Sequence, residues 1–270
     1  MPPRGRPPLP QHPRPARQAP FQEEARAKLF RVAGLAAVSA LFEHEPARVE
    51  RLFFDERLKP AVGGFCKTMA AARKPYRMVE GDELAKVAGT VLHGGVVALM
   101  APRTLPALDG ETARRWSEPL LILDGVGNPH NLGAILRTAA FFGLPRVVLS
   151  DHPGQAQPSE AAYRVAEGGF EWVELFKAAN LPALLKRLRA THRVVGTALD
   201  PKRVSIDVGG LTAGGAKPLA LVMGNEEDGI PPATLAACDT VLTIPGSGRV
   251  QSLNVAATAA ILIHALAARP

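Results

Sequence analysis

The sequence predicts an α/β protein, with a small N-terminal α/β domain followed by a larger one. Three observations carry that reading. Segments with helical spacing alternate with short strand-like runs along most of the chain, as in layered helices and sheet. The chain has 270 residues, 47% of them hydrophobic, enough for one large core or two smaller ones. A stretch at residues 103–117, with Pro106, Asp109, Gly110 and several charges, has no sustained period and reads as a linker between the two.

Residues 1–23 read as a disordered basic arm. Residues 1–22 hold eight prolines and four arginines (Arg4, Arg6, Arg14, Arg17) and no acidic residue, so they bury too little apolar surface to fold. Such an arm adds nonspecific phosphate contacts, or it is a plain solvated extension. Residues 24–102 read as the small domain. A helix is expected over Ala25–Phe42, a strand over Val49–Phe54 and a second helix over Pro60–Arg73, then strands over Tyr76–Val79 and Gly95–Met100. Residues 118–270 read as the second domain. Its strands are expected at Leu120–Asp124, Arg146–Ser150, Arg193–Thr197, Leu219–Met223 and Thr240–Ile244, and its helices at Asn131–Phe142, Leu181–Ala190 and Ser252–Ala268.

The formal charge of +7 and the pI of about 9.8 fit an anionic partner such as RNA. Part of that charge belongs to the arm alone. The two cysteines, Cys66 and Cys238, are far apart and read as small buried hydrophobes. With no CxxC, no Cys/His cluster and scattered histidines, no metal is expected. The chain lacks an 18-residue apolar run and the apolar core of a signal peptide, so a cytoplasmic protein without a membrane span is the expectation.

Three segments carry the chemistry. In NPHNLGAILRTAAFFG, Asn128 to Gly143, Pro129 and Asn131 open a helix whose apolar face is Leu132, Ile135, Leu136 and Ala139. Gly133 and Arg137, four apart, share another face. The missing side chain at Gly133 is expected to leave open space before the Arg137 guanidinium, ready for a phosphate or a developing oxyanion. Alone, the segment reads as an amphipathic helix with an ordinary surface arginine. In VMGNEEDGI, Val222 to Ile230, an acidic turn carrying Glu226 follows a strand-like run; alone it is a solvated turn. In IPGSGRVQSLNVAATAAIL, Ile244 to Leu262, Ser252 is expected to cap a helix that is apolar nearly all round and therefore buried. Alone it is a capped core helix. Neither Gly125-Val126-Gly127 nor Gly246-Ser247-Gly248 completes a dinucleotide loop, and there is no phosphate-binding GxxxxGK[ST].

Taken in order, the three segments resemble the signature motifs of the SpoU (TrmH) family of RNA ribose methyltransferases. VAGLAAVSALFEHEPARVERLFFDE, from Val32, resembles the start of that family's substrate-binding domain, which has a ribosomal-protein L30e-like fold. VLHGGVVAL, Val91 to Leu99, resembles its closing segment, with Gly94 where glutamine is more usual. That exchange removes any contact by a glutamine side chain and points to a subgroup with its own substrate. His93 reads as an RNA contact or a satisfied strand-end histidine. The resemblance covers roughly residues 26–268. It implies a C-terminal SPOUT domain, with a trefoil-knotted, mostly parallel sheet.

The resemblance also implies S-adenosylmethionine as cofactor, held by loops near Thr197, Ala198 and Leu199, near Met223, Gly224 and Asn225, and near Ile244 and Gly246, with Leu253 beside them. It implies methyl transfer to a ribose 2′-hydroxyl with Arg137 as the central catalytic residue. Asn131 and Glu226 would orient Arg137, and Ser252 and Asn254 would complete the site. An arginine pKa above about 12 disfavours literal base catalysis. Stabilising the incipient alkoxide or holding the adjacent phosphate is the preferred role. The implied partners are RNA and a second copy of the chain in a homodimer. The extra N-terminal domain favours ribosomal RNA (a guanosine of 23S rRNA) over tRNA. The reading of another class is an RNA-binding or ribosome-assembly factor without catalysis, which loss of Arg137, Ser252 or Asn254 would have favoured.

Overall fold

The computed structural model describes residues 29–198, 205–212, 217–225 and 227–267. Its N-terminal unit runs β1 (Phe30–Ala33), α1 (Leu35–His44), β2 (Val49–Phe54), α2 (Gly63–Ala71), β3 (Tyr76–Met78), α3 (Gly81–Ala88) and β4 (Val96–Met100). The strands lie in the order β1-β4-β2-β3; β4 is antiparallel to both neighbours and β2 is parallel to β3. The helix expected over Ala25–Phe42 starts only at Leu35. Gly34, at φ 95°, breaks helical geometry, and Phe30–Ala33 pairs with β4 instead. The expected arm and residues 24–28 lie outside the described residues. The short helix α3 was not expected; it buries Leu84 and Ala88 and ends on Gly89 at φ 68°.

The second unit runs β5 (Ala107–Leu108), α4 (Gly110–Ala113), β6 (Leu120–Asp124), α5 (Pro129–Phe141), β7 (Arg146–Leu149), α6 (Glu160–Ala166), α7 (Gly169–Trp172), β8 (Glu174–Ala178) and α8 (Leu181–Leu188). It continues through β9 (Arg193–Thr197), β10 (Ser205–Ile206), α9 (Val208–Thr212), β11 (Leu219–Gly224), α10 (Pro232–Ala236), β12 (Thr240–Leu242) and α11 (Val255–Ala267). Its eight strands form one sheet in the order β10-β12-β9-β11-β6-β7-β8-β5, with every pair parallel. The residues expected as a linker therefore contribute an edge strand, β5, and a turn of helix, α4, which Asp109 caps by accepting from Thr112 N at 2.6 Å. The trefoil knot is expected in the C-terminal part of the chain, where 199–204, 213–216 and 226 lie outside the described residues.

Alternate residues of each central strand face opposite sides, and both sides are covered. Leu121 and Leu123 of β6 pack with Leu132, Ile135 and Leu136 of α5 and with Leu262 and Ile263 of α11. Leu120 and Ile122 pack on the other side with Leu181, Leu184 and Leu188 of α8. The first cluster runs on into the N-terminal unit through Tyr163, Phe170, Val38 and Leu41, so the two units share a core. A partly buried charge group lies at that junction, around the buried Glu171. Arg103 reaches Glu45 at 2.8 Å and Glu171 at 3.7 Å, and Arg48 pairs with Glu45. Burial pushes the Glu171 carboxyl up to about 7, against the pull of Arg103 and Arg48.

Because the sheet is parallel, the loops that follow β6, β9, β11 and β12 leave from one edge. This is where open α/β sheets bind ligands. Asp124 of β6 pairs in register with Gly224 of β11, and Leu242 of β12 with Thr197 of β9.

Candidate active site

The first segment leaves β6 through a turn that a buried amide fixes. Gln155 accepts from Gly125 N and Val126 N at 3.0 and 3.1 Å, and donates to the carbonyls of Val126 and Ala156. Helix α5 then starts with Asn128 as its cap, accepting from His130 N at 2.8 Å, and Pro129 in the first turn. The carbonyl of Gly125 accepts from Asn225 Nδ2 at 2.9 Å, which joins the first segment to the second.

The second segment doubles back on itself. Asn225 and Gly229 exchange backbone hydrogen bonds of 3.0 Å each way, and Asn225 Oδ1 accepts from Glu227 N and Asp228 N. A Cβ on Gly224 would overlap the backbone of Gly229 and Ile230, so this position admits only glycine. Met223 is buried, so only its backbone reaches the edge. Glu226 lies outside the described residues.

The third segment meets the first. Asn254 Nδ2 donates to Asn131 Oδ1 at 3.2 Å. Asn254 also caps α11, its Oδ1 accepting from Ala256 N at 2.8 Å and from Ala257 N at 3.3 Å. The cap expected at Ser252 is therefore two residues later. Ser252 is exposed in the loop before it, because only Asn254 stands next to the first free N–H groups. Nor is α11 buried all round: Val255, Ala259, Leu262, Ile263 and Leu266 face the core, while Ile261 is 41% exposed.

Near Thr197, the loop after β9 is tied to the loop after β12. Ala198 N donates to the Leu242 carbonyl at 3.1 Å, and Thr243 Oγ1 donates to the Ala198 carbonyl at 2.8 Å. Leu199 lies outside the described residues. Ile244 is half-buried, Gly246 is exposed and Leu253 is 47% exposed, so apolar side chains and backbone groups stand open along this edge. The buried Asp124 has an Oδ2 without a partner among the described residues. Such a set of residues fits a small ligand read by backbone groups and apolar walls, with one acceptor for its N–H or O–H.

Arg137 lies on the exposed side of α5, paired with Glu167 Oε2 at 3.0 Å. Gly133 does not open space before it. A Cβ at Gly133 would overlap the Ala162 carbonyl and lie 2.9 Å from Val165 Cβ, so this glycine lets α6 cross closely over α5. The HGGV segment resolves differently from an RNA contact. His93 is buried and its Nδ1 accepts from Gly95 N, while Gly94, at φ 58°, packs on Gly34. Gln155 and Glu167 do not stand out in the sequence. Nothing in the local pattern singles out Gln155; Glu167 precedes Gly168-Gly169, a helix-end signal. Among the described residues no three or more His, Cys, Asp or Glu could hold a metal ion, and no helix is long and apolar enough to cross a membrane.

A parallel sheet with three hydrogen-bonded segments at its carboxyl edge defines an open α/β protein with its loops gathered where such sheets bind ligands, and comparison with known proteins gives its family. Residues 118–264 match the model of the SpoU rRNA methylase family. Residues 31–106 match that of the RNA 2′-O ribose methyltransferase substrate-binding domain. The chain belongs to the SpoU family of RNA methyltransferases, with an N-terminal substrate-binding domain. It is 36% identical over 242 residues, 86% of its length and 94% of the relative's, to the 23S rRNA (guanosine-2′-O-)-methyltransferase RlmB of Acinetobacter baylyi. It is 34% identical over 245 residues, 88% of its length and 68% of the relative's, to the uncharacterized tRNA/rRNA methyltransferase YfiF of Escherichia coli O157:H7. The crystal structure of an AdoMet-bound rRNA methyltransferase from Sinorhizobium meliloti shares the fold, with TM-score 0.72, 24% identity, and coverage of 88% of this chain and 87% of that one.

Proposed function

We propose that this protein transfers a methyl group from S-adenosylmethionine to a ribose 2′-hydroxyl of RNA, at a guanosine of 23S ribosomal RNA. The observation that carries the reading is the Asn131–Asn254 hydrogen bond, with the Asn225–Gly125 bond beside it. Together they draw the three segments to one edge, on the helix that bears Arg137. The similarity to RlmB of Acinetobacter baylyi over 94% of that protein supports the substrate class, and the AdoMet in the Sinorhizobium structure supports the cofactor.

When bound, S-adenosylmethionine supplies an electrophilic methyl group. The loops bearing Thr197, Ala198 and Leu199, Met223, Gly224 and Asn225, and Ile244 and Gly246, with Leu253, would hold it. The chain's own task is to align the hydroxyl and ease loss of its proton. Arg137 does this as a fixed cation, stabilising the incipient alkoxide or gripping the adjacent phosphate. Asn131 and Glu226 orient it, and Asn254 and Ser252 complete the hydrogen bonding. Exposed Phe141 on α5 and Ile261 on α11, 81% and 41% accessible, support a homodimer through these helices.

The test is methyl transfer from labelled S-adenosylmethionine to total RNA from cells lacking this gene, with fractions separated and nucleosides identified. The expected product is 2′-O-methylguanosine in 23S rRNA. Label in the tRNA fraction would reassign the substrate, and label on a base would refute the ribose chemistry.

A further inference from the structure

We propose that Glu167 is a positioning residue for Arg137, its carboxylate holding the guanidinium in the orientation that methyl transfer requires. This rests on the assignment of Arg137 to catalysis above. The ion pair spans 3.0 Å, and the two side chains remain 56% (Arg137) and 53% (Glu167) exposed. An exposed pair of this kind adds little to folding stability. Its value lies elsewhere.

The backbone at Glu167 points the same way. It follows α6 at φ 47°, ψ 42°, in the left-handed region that glycine adopts freely and residues with a Cβ rarely do. The two following residues are glycines, yet this position carries a glutamate. Arg73 and Asn180 adopt the same region, and at Glu167 the strained residue that ends α6 is also the one that pairs with Arg137.

Its place is also fixed by packing. A Cβ at Gly168 would lie 2.9 Å from Ala40 Cβ of α1. A Cβ at Gly169 would lie 2.8 Å from the Leu136 carbonyl and 2.9 Å from Arg137 N. The backbone after Glu167 is thus wedged between α1 and α5, and it meets α5 at the residue whose side chain Glu167 holds. The carboxylate is presented by packed backbone. A guanidinium has five N–H donors in a rigid fork. Fixing one arm on Glu167 removes rotamers that would have to be lost in the transition state.

The test compares Glu167→Gly, Glu167→Gln and Glu167→Asp with wild type and Arg137→Ala. Methyl transfer from labelled S-adenosylmethionine to total RNA from cells lacking this gene gives kcat and the apparent KM for that RNA, and thermal melting gives stability. Glycine relieves the backbone, so Glu167→Gly should melt no lower than wild type while its kcat falls about tenfold, with KM changed less than about twofold. Glu167→Gln should lose as much kcat, and Glu167→Asp, which keeps the carboxylate, should recover part of it. Wild-type kcat in Glu167→Gly overturns the proposal. So does an effect confined to KM, or a kcat loss matched by a fall in melting temperature. Should Arg137→Ala be inactive and Glu167→Gly fully active, only the positioning role fails. An active Arg137→Ala removes the assignment of Arg137 and this proposal with it.

Discussion

Gly133 and Gly224 act through the side chains they lack. At Gly133 the neighbour is the Ala162 carbonyl, and at Gly224 it is the backbone of Gly229 and Ile230. Backbone yields less readily than a side-chain tip, so overpacking is costly at both positions. Gly133→Ala should lose about 1–3 kcal/mol, read as a lower melting temperature, because α5 and α6 must separate. Arg137→Ala should do the opposite. Its exposed pair is worth about 0–1 kcal/mol, so the melt should barely move while methyl transfer falls at least about 100-fold. The sequence makes Arg137 and Gly133 visible as a pair on one helix, but not their separate reasons. The helix that crosses Gly133 comes from Glu160–Ala166, and no local pattern announces that contact.

At the scale of elements, the strands of the second domain were the most legible. A strand buried on both faces reads as an unbroken apolar run, and residues 120–123 and 219–223 do so. Elements whose identity depends on a distant partner were not legible. Phe30–Ala33 reads as part of a helix until β4 claims it, and Ala107–Leu108 reads as linker until β8 pairs with it. Capping shows the same limit. The sequence points to Ser252 as the cap, and Asn254 takes that place because α11 starts at Val255. Asn254→Ala should cost about 1 kcal/mol of stability and free the third segment from Asn131. Ser252→Ala should leave the melting temperature unchanged. Equal melts for the two variants would contradict this assignment.

Across the whole molecule, the methylase-family and substrate-binding units are joined by a shared core and a partly buried charge group, neither of which the sequence revealed. Glu171 at this junction titrates at about 7, above its ordinary value of 4.5, because burial disfavours its charge. A carboxyl that holds its proton more tightly when folded stabilises the fold fully below its unfolded pKa. That stability is lost as pH rises through the folded value. Wild type should therefore lose melting temperature between about pH 5 and 7.5 relative to Glu171→Gln, whose amide does not titrate. Parallel pH profiles would contradict the assignment.

On the proposed function, the edge of the parallel sheet where the three segments meet transfers methyl groups to RNA through Arg137. The most direct test is the initial rate at which label from S-adenosylmethionine enters total RNA from cells lacking this gene, for wild type and Arg137→Ala side by side. The wild type should transfer label, recovered as a 2′-O-methylnucleoside, and Arg137→Ala should transfer at near background while melting like the wild type. Equal rates for the two proteins, or label found on a base, would contradict it.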